Sequence, residues 1–182
     1  MNPTDHPLST ALDGADLIHD GSVLDAAISR LASEIDRTLA GSRAVLLTIM
    51  QGGLPFAGQL ATRIAAPLLF DYVHATRYRG ETSGGELIWL HRPRVSLAGE
   101  TVLLVDDILD EGHTLSEVRQ WCRDQGAARV LIAVLCRKPH GRGIDITADF
   151  VGVEVPDRYV FGYGMDYHEQ GRNLPAIYAL GE

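Results

Sequence analysis

A series of short, almost wholly apolar runs, separated by glycine-bearing turns and amphipathic segments, constrains the fold of this chain more than any other feature. The runs are Ala44–Met50 (AVLLTIM), Leu68–Val73 (LLFDYV), Leu87–Leu90 (LIWL), Val102–Val105 (VLLV) and Val130–Leu135 (VLIAVL), with Phe150–Val155 and a short Ala176–Leu180 after them. Near-continuous apolarity over so few residues marks a strand buried on both faces. Helical patterns lie between the runs. From Ser22, the residues Leu24, Ile28, Leu31, Ile35 and Leu39 recur at spacings of 4, 3, 4 and 4, and Gly41 then ends the segment. Ser22 with Asp25 three positions on has the form of a capping arrangement. A second helix is expected around Pro55–Ile64, after Gly52–Gly53, and a third from about Thr114, where Leu115, Val118 and Cys122 share a face. This alternation predicts an α/β domain spanning residues 1–182, with a mainly parallel sheet covered by helices on both faces. Residues 1–20 read as a loosely structured lead-in. Ligands of such folds lie beyond the carboxyl ends of the strands, so the loops after Met50, Val105 and Leu135 are the places to look.

Composition narrows the function classes. Of 182 residues, 46% are hydrophobic, enough for a sizeable core. Sixteen basic against 24 acidic residues give a net charge of −8, which argues against nucleic acid or a membrane surface as the partner. Two cysteines, Cys122 and Cys136, are too few for a disulfide framework and read as reduced thiols. With no signal-peptide pattern and no long apolar stretch, a soluble cytoplasmic protein is expected.

The chemistry concentrates in Val102–Leu115, VLLVDDILDEGHTL. Asp106 and Asp107 leave an apolar run together, and ionised aspartates accept hydrogen bonds from vicinal hydroxyls. The turn that follows, Asp110–Thr114, offers backbone N–H groups and a hydroxyl at a helix start, a cradle for phosphate that needs no net charge. Gly112 allows close approach of backbone and ligand. A sugar phosphate suits both halves. A lone aspartate here would be an ordinary cap or solvated turn. A receiver domain also carries an acidic pair after a strand, but near its N-terminus rather than beyond position 100.

VLLVDDILDEGHT resembles the phosphoribosyl-pyrophosphate signature of the type I phosphoribosyltransferases. Lys138-Pro139, the segment DFVGVEVPDRYVFGYGMDY (Asp149–Tyr167) and Arg172-Asn173-Leu174-Pro175 resemble the hypoxanthine-guanine branch of that family. The likeness runs from about Ala44 to Leu180. It implies the type I fold, with a small hood formed by the terminal segments. It implies Asp110 as general base facing the purine, and Asp106 and Asp107 holding the ribose hydroxyls. The 5′-phosphate would be bound by Asp110, Glu111, Gly112, His113 and Thr114, and pyrophosphate by Gln51, Gly52 and Arg172. Lys138 would donate to the 6-oxygen of the base, Tyr159 would stack on the ring, and the Val160 backbone would read its edge, with Asp166 nearby. Asp166, Asp106 and Asp107 would help place Mg²⁺. Arg77 and Tyr78 would belong to a mobile loop over Thr76–Gly85 that closes on the site.

The chain departs from the family pattern in two loops. Gln51-Gly52 stands where Lys-Gly is usual, and Thr76-Arg77-Tyr78-Arg79 where Ser-Tyr is usual. Glu111 replaces a small hydroxyl residue, and its side chain is expected in solvent. Trp89, Trp121, His74 and His113 read as structural or solvent-facing. The implied activity is transfer of phosphoribosyl from phosphoribosyl pyrophosphate to hypoxanthine or guanine, in a homodimer or homotetramer. Xanthine specificity, or a non-catalytic nucleotide-sensing regulator of the same fold, remain open. An RNA-binding regulator should carry a basic face, which −8 leaves little room for.

Overall fold

The computed structural model describes residues 7–77 and 87–181. In chain order the elements are α1 (Leu8–Asp13), β1 (Ala15–His19), α2 (Gly21–Leu39), β2 (Ala44–Met50), α3 (Gly53–Ala61), β3 (Leu68–Arg77) and β4 (Leu87–His91). They continue with β5 (Thr101–Leu109), α4 (His113–Asp124), β6 (Arg129–Arg137), β7 (Phe150–Glu154), β8 (Val160–Phe161) and β9 (Ile177–Leu180).

Six strands form one sheet in the order β4-β3-β2-β5-β6-β7. All neighbours are parallel except β3 and β4, which pair antiparallel. Helices cover both faces, as the unbroken apolar runs require. On one face Leu24, Ile28, Leu31 and Ile35 of α2, with Phe56 and Leu60 of α3, pack on Leu46, Leu103 and Leu131. On the other, Leu115, Val118 and Cys122 of α4 pack on Val45, Leu47, Leu104 and Ile132. Burial on this scale contributes about 25 cal/mol per Å² of apolar surface, so each fully enclosed leucine adds roughly 2 kcal/mol. The strand order reverses between β2 and β5. A crevice therefore opens where their carboxyl ends diverge, which is the usual ligand position in such sheets.

The expected hood is present. β1, β9 and β8 form a separate antiparallel sheet that joins the two ends of the chain. This corrects the reading of residues 1–20 as a loose lead-in: among them, α1 and β1 are regular, and β1 pairs with β9 at the far end of the chain. Its sequence, ADLIH, is only half buried, so no local periodicity marks it. The cap of α2 is also different. Asp20 Oδ1 accepts the N–H groups of Ser22 and Val23, both at 2.9 Å, so Asp20 caps the helix and Ser22 lies within it. α3 begins and ends earlier than expected, and β5 runs four residues beyond Val105, carrying both acidic residues inside the strand. Trp89 and Trp121 pack on each other at 5.0 Å, as expected of structural residues. Both cysteines are free and buried. Among the described residues no helix is long and apolar enough to cross a membrane.

Candidate active site

The site lies in the crevice between β2 and β5, with contributions from the end of β6 and from the hood. A cavity of about 530 Å³ is lined by Gln51 and Gly52 after β2, by Asp106, Asp107 and the 110–114 turn, and by Asp166 and Arg172. A second, of about 260 Å³, is lined by Asp110, Lys138, Tyr159, Val160 and Met165 among others. Asp107, Ile108, Asp110 and Asp166 line both, so the two compartments meet there. The structure thus brings together every candidate residue it describes with a side chain. Tyr78 lies outside the described residues, as does the side chain of Arg77, which ends β3.

The turn after β2 is set by space. The Met50–Gln51 peptide is cis, and Gly52 follows at φ −59°, ψ −43°. A Cβ at Gly52 would lie 1.9 Å from Asp107 Oδ2, and one at Gly164 would lie 2.1 Å from the Gly52 carbonyl oxygen. Strand β5, the turn and the hood segment therefore interlock through two glycines. Gln51 is exposed at the cavity edge.

Asp106 and Asp107 are both buried, at 9% and 8% exposure. Burial pushes the Asp106 carboxyl well above the usual carboxylate range, and the neighbouring Asp107 charge pushes it further. Burial raises Asp107 as well. Two adjacent carboxylates shielded from water favour a state that retains a proton, or one that gains a cation or hydroxyl donors. Their oxygen donors suit Mg²⁺, which prefers a few carboxylates together with waters and phosphate oxygens over an all-protein cage. Among the described residues no group of three or more His, Cys, Asp or Glu side chains is arranged to hold a metal. Asp166 is more committed. Its Oδ1 pairs with Arg172 at 2.8 Å and its Oδ2 accepts the Glu169 N–H at 3.0 Å.

At the next turn Gly112 adopts φ 73°, a left-handed conformation in which a side chain would also collide with Ile146. It is the N-cap of α4, yet no side chain caps the helix. The first N–H groups of His113–Leu115 have no helical acceptor, and all three residues line the 530 Å³ cavity. Glu111 is exposed, as expected, and lies 3.7 Å from His113.

Asp110 stands at the junction of the compartments. Lys138 Nζ donates to its Oδ2 at 2.6 Å. His140 Nε2 lies 2.6 Å from its Oδ1. Burial pushes the Asp110 carboxyl up, but the hydrogen bonds and charges of Lys138 and His140 outweigh it and hold the group below the usual carboxylate range. Asp110 is thus ionised and acceptor-only at neutral pH. Lys138 is anchored by its own N–H, which donates to Leu109 O at 3.0 Å. His140 was not among the sequence candidates. Nothing in its local sequence distinguishes it, because its contact with Asp110 spans 30 residues and depends on the course of the 138–146 loop.

Across the smaller compartment, Tyr159 is an exposed residue whose hydroxyl donates to the Asp166 carbonyl at 3.0 Å. Tyr167 meets it edge-on at 6.1 Å. A supported aromatic ring therefore lines this compartment together with Lys138 and Asp110. Arg172 donates to Gly164 O at 2.7 Å and keeps a buried Nε without a hydrogen-bond partner at the wall of the larger compartment.

Known proteins resemble this chain over most of its length. The phosphoribosyl transferase domain model matches residues 14–170. A hypoxanthine-guanine phosphoribosyltransferase of Streptococcus pneumoniae is 34% identical over 167 residues, covering 91% of this chain and 92% of that protein. The Bacillus subtilis protein of the same name is 37% identical, over 84% of this chain and 86% of its own length. The crystal structure of a hypoxanthine phosphoribosyltransferase from Staphylococcus aureus superposes with a TM-score of 0.89 at 30% identity, covering 95% of each chain. The chain belongs to the phosphoribosyltransferase family, and within it to the hypoxanthine-guanine phosphoribosyltransferases.

Proposed function

We propose that the protein is a purine-salvage enzyme that joins hypoxanthine or guanine to phosphoribosyl pyrophosphate, forming IMP or GMP and releasing pyrophosphate. The observation that carries this reading is Asp110. It lies between an amide-lined compartment fit for a sugar phosphate and an aromatic, lysine-bearing one fit for a 6-oxopurine.

In this reading the 5′-phosphate occupies the 110–114 turn, where backbone N–H groups and Thr114 bind it. The ribose hydroxyls lie against Asp106 and Asp107. Pyrophosphate meets Gln51, Gly52 and Arg172, whose guanidinium suits phosphate oxygens. The purine stacks on Tyr159 with its edge toward the Val160 backbone. Lys138 leaves Asp110 and donates to the 6-oxygen. An ammonium has no acceptor, so adenine, with an amino group there, is disfavoured. A ring nitrogen of the purine forms the bond to the anomeric carbon as the bond to pyrophosphate oxygen breaks, through an oxocarbenium-like state. The proton on the imidazole side of the base passes to Asp110 Oδ2. Asp106 and Asp107, with Asp166 behind Arg172, are the residues that would hold Mg²⁺, which supplies charge neutralisation at the departing pyrophosphate.

Free buried thiols support a reducing, cytoplasmic setting. Exposed Leu69, Phe70, Tyr72, Ile88 and Leu90 on β3 and β4 support self-association as a dimer or tetramer. The assay that tests the function offers hypoxanthine, guanine, xanthine and adenine, each with phosphoribosyl pyrophosphate and Mg²⁺. Nucleotide from the first two is expected. A preference for xanthine would move the specificity, and no nucleotide from any base would favour a nucleotide-sensing regulator.

A further inference from the structure

The two oxygens of Asp110 are held from different sides. Lys138 holds Oδ2 from the base compartment, and His140 meets Oδ1. The imidazole has a second partner: its Nδ1 accepts the backbone N–H of Arg142 at 3.2 Å. A ring nitrogen that accepts from an amide carries no proton, so the neutral ring carries its proton on Nε2 and donates it to Asp110. The His140 side chain is only 7% exposed. It lines a third cavity, of about 740 Å³, under the 137–146 segment, and lines neither of the compartments described above. Asp110 lines all three. The imidazole therefore meets the carboxylate from the third cavity, which Lys138 also lines, and from within neither of the two compartments.

We infer that His140 is a positioning residue for Asp110, pinning Oδ1 so that Oδ2 alone faces the purine once Lys138 turns to the 6-oxygen. The inference rests on reading Asp110 as the proton acceptor. The terminal torsion of an aspartate is soft. When Lys138 departs, one oxygen loses its partner, and without a second tie the carboxylate is free to rotate. A donor on Oδ1 keeps the base oriented, the role of the third group in nucleophile–base–orienter arrangements. A purely structural role in the loop is the competing explanation. The loop has other ties, however: Lys138 N–H to Leu109 O at 3.0 Å, Ile144 N–H to Glu111 O at 2.9 Å, and the Arg142–Asp157 ion pair.

The test compares His140→Ala and His140→Gln with the wild-type enzyme, using hypoxanthine and saturating Mg²⁺–phosphoribosyl pyrophosphate across pH. Glutamine keeps an N–H donor at nearly the same reach. Several other charged groups surround Asp110. Lys138 binds it, the Arg142 charge acts on it, Asp107 and Asp166 face it across the front compartments, and Glu111 and His113 follow on the turn. All are unchanged in both variants. The expected result for alanine is a fall in kcat of roughly 10–100-fold, as for a misaligned catalytic group, with KM for phosphoribosyl pyrophosphate unchanged. Losing a donor to the carboxylate raises its proton affinity, so the acid limb of the profile moves to higher pH. Glutamine restores both. Wild-type kcat and acid limb in the alanine variant, or equal impairment of both variants, would overturn the role of His140. No nucleotide from the wild-type enzyme would instead overturn the reading of the site. Long-range ¹H–¹⁵N spectra of the wild-type protein give a check independent of turnover. A neutral His140 ring protonated at Nε2 is expected, and one protonated at Nδ1 would contradict the inference.

Discussion

A methyl group on Gly52 would lie 1.9 Å from the Asp107 carboxylate oxygen, so the turn after β2 and the acidic pair on β5 fit only as a unit. The backbone of Gly52 is helical and open to any residue, which makes the requirement one of space alone. Gly52→Ala is expected to displace the carboxylate, lower kcat/KM about 10²-fold and destabilise the fold by about 1–3 kcal/mol. Steady-state kinetics and urea denaturation check both. A variant with wild-type values would show that the turn gives way.

The pair Asp106 and Asp107 makes the ligand-free protein sensitive to pH. Both carboxyls are raised by burial, so the native state binds more protons than the unfolded chain above the usual carboxylate range. Stability then falls as pH rises from about 4 through the raised values. Asp106→Asn removes one charge of the pair. It is expected to raise Tm near pH 7.5 and to flatten that decline, while weakening binding of Mg²⁺–phosphoribosyl pyrophosphate. Thermal melts across pH, with and without that ligand, measure this. A lower Tm at pH 7.5 would show that the pair is already neutralised by its surroundings.

Lys138 is bound to Asp110 at 2.6 Å and must be shared with the base. Lys138→Ala is expected to reduce kcat/KM for hypoxanthine and to narrow its preference over adenine about 10²-fold. It also removes a partner that holds Asp110 low, so the acid limb of the pH profile moves upward. Discrimination between the two bases that survives the substitution would place 6-oxo recognition elsewhere, in the main chain around Val160.

What the sequence discloses is governed by how local each signal is. The bounds of β2 follow from its apolar run, and the strand-to-helix turn falls at Asp110–Gly112 within the acidic, glycine-bearing segment, because both signals sit within a few adjacent residues. β1 escapes notice because its partner β9 is at the other end of the chain and its own residues are half polar. Asp20 escapes because Ser22 and Asp25 offer a competing cap two residues later. His140 escapes for the strongest reason: a lone histidine in a loop has no periodicity, and only the path of that loop brings it to Asp110. The resemblance names the residues that line the compartments. It does not show that Lys138 and His140 occupy both oxygens of Asp110, nor that Arg172 and the Glu169 N–H already occupy Asp166.

The most direct test of the account is Asp110→Asn, assayed for nucleotide formation from hypoxanthine beside calorimetric binding of Mg²⁺–phosphoribosyl pyrophosphate. An amide keeps the shape and loses the proton acceptor. The expected result is a fall in kcat of about 10²–10⁴-fold, with the Kd for phosphoribosyl pyrophosphate essentially unchanged. Turnover equal to that of the wild-type enzyme would contradict the assignment of Asp110 as the base at the junction of the two compartments.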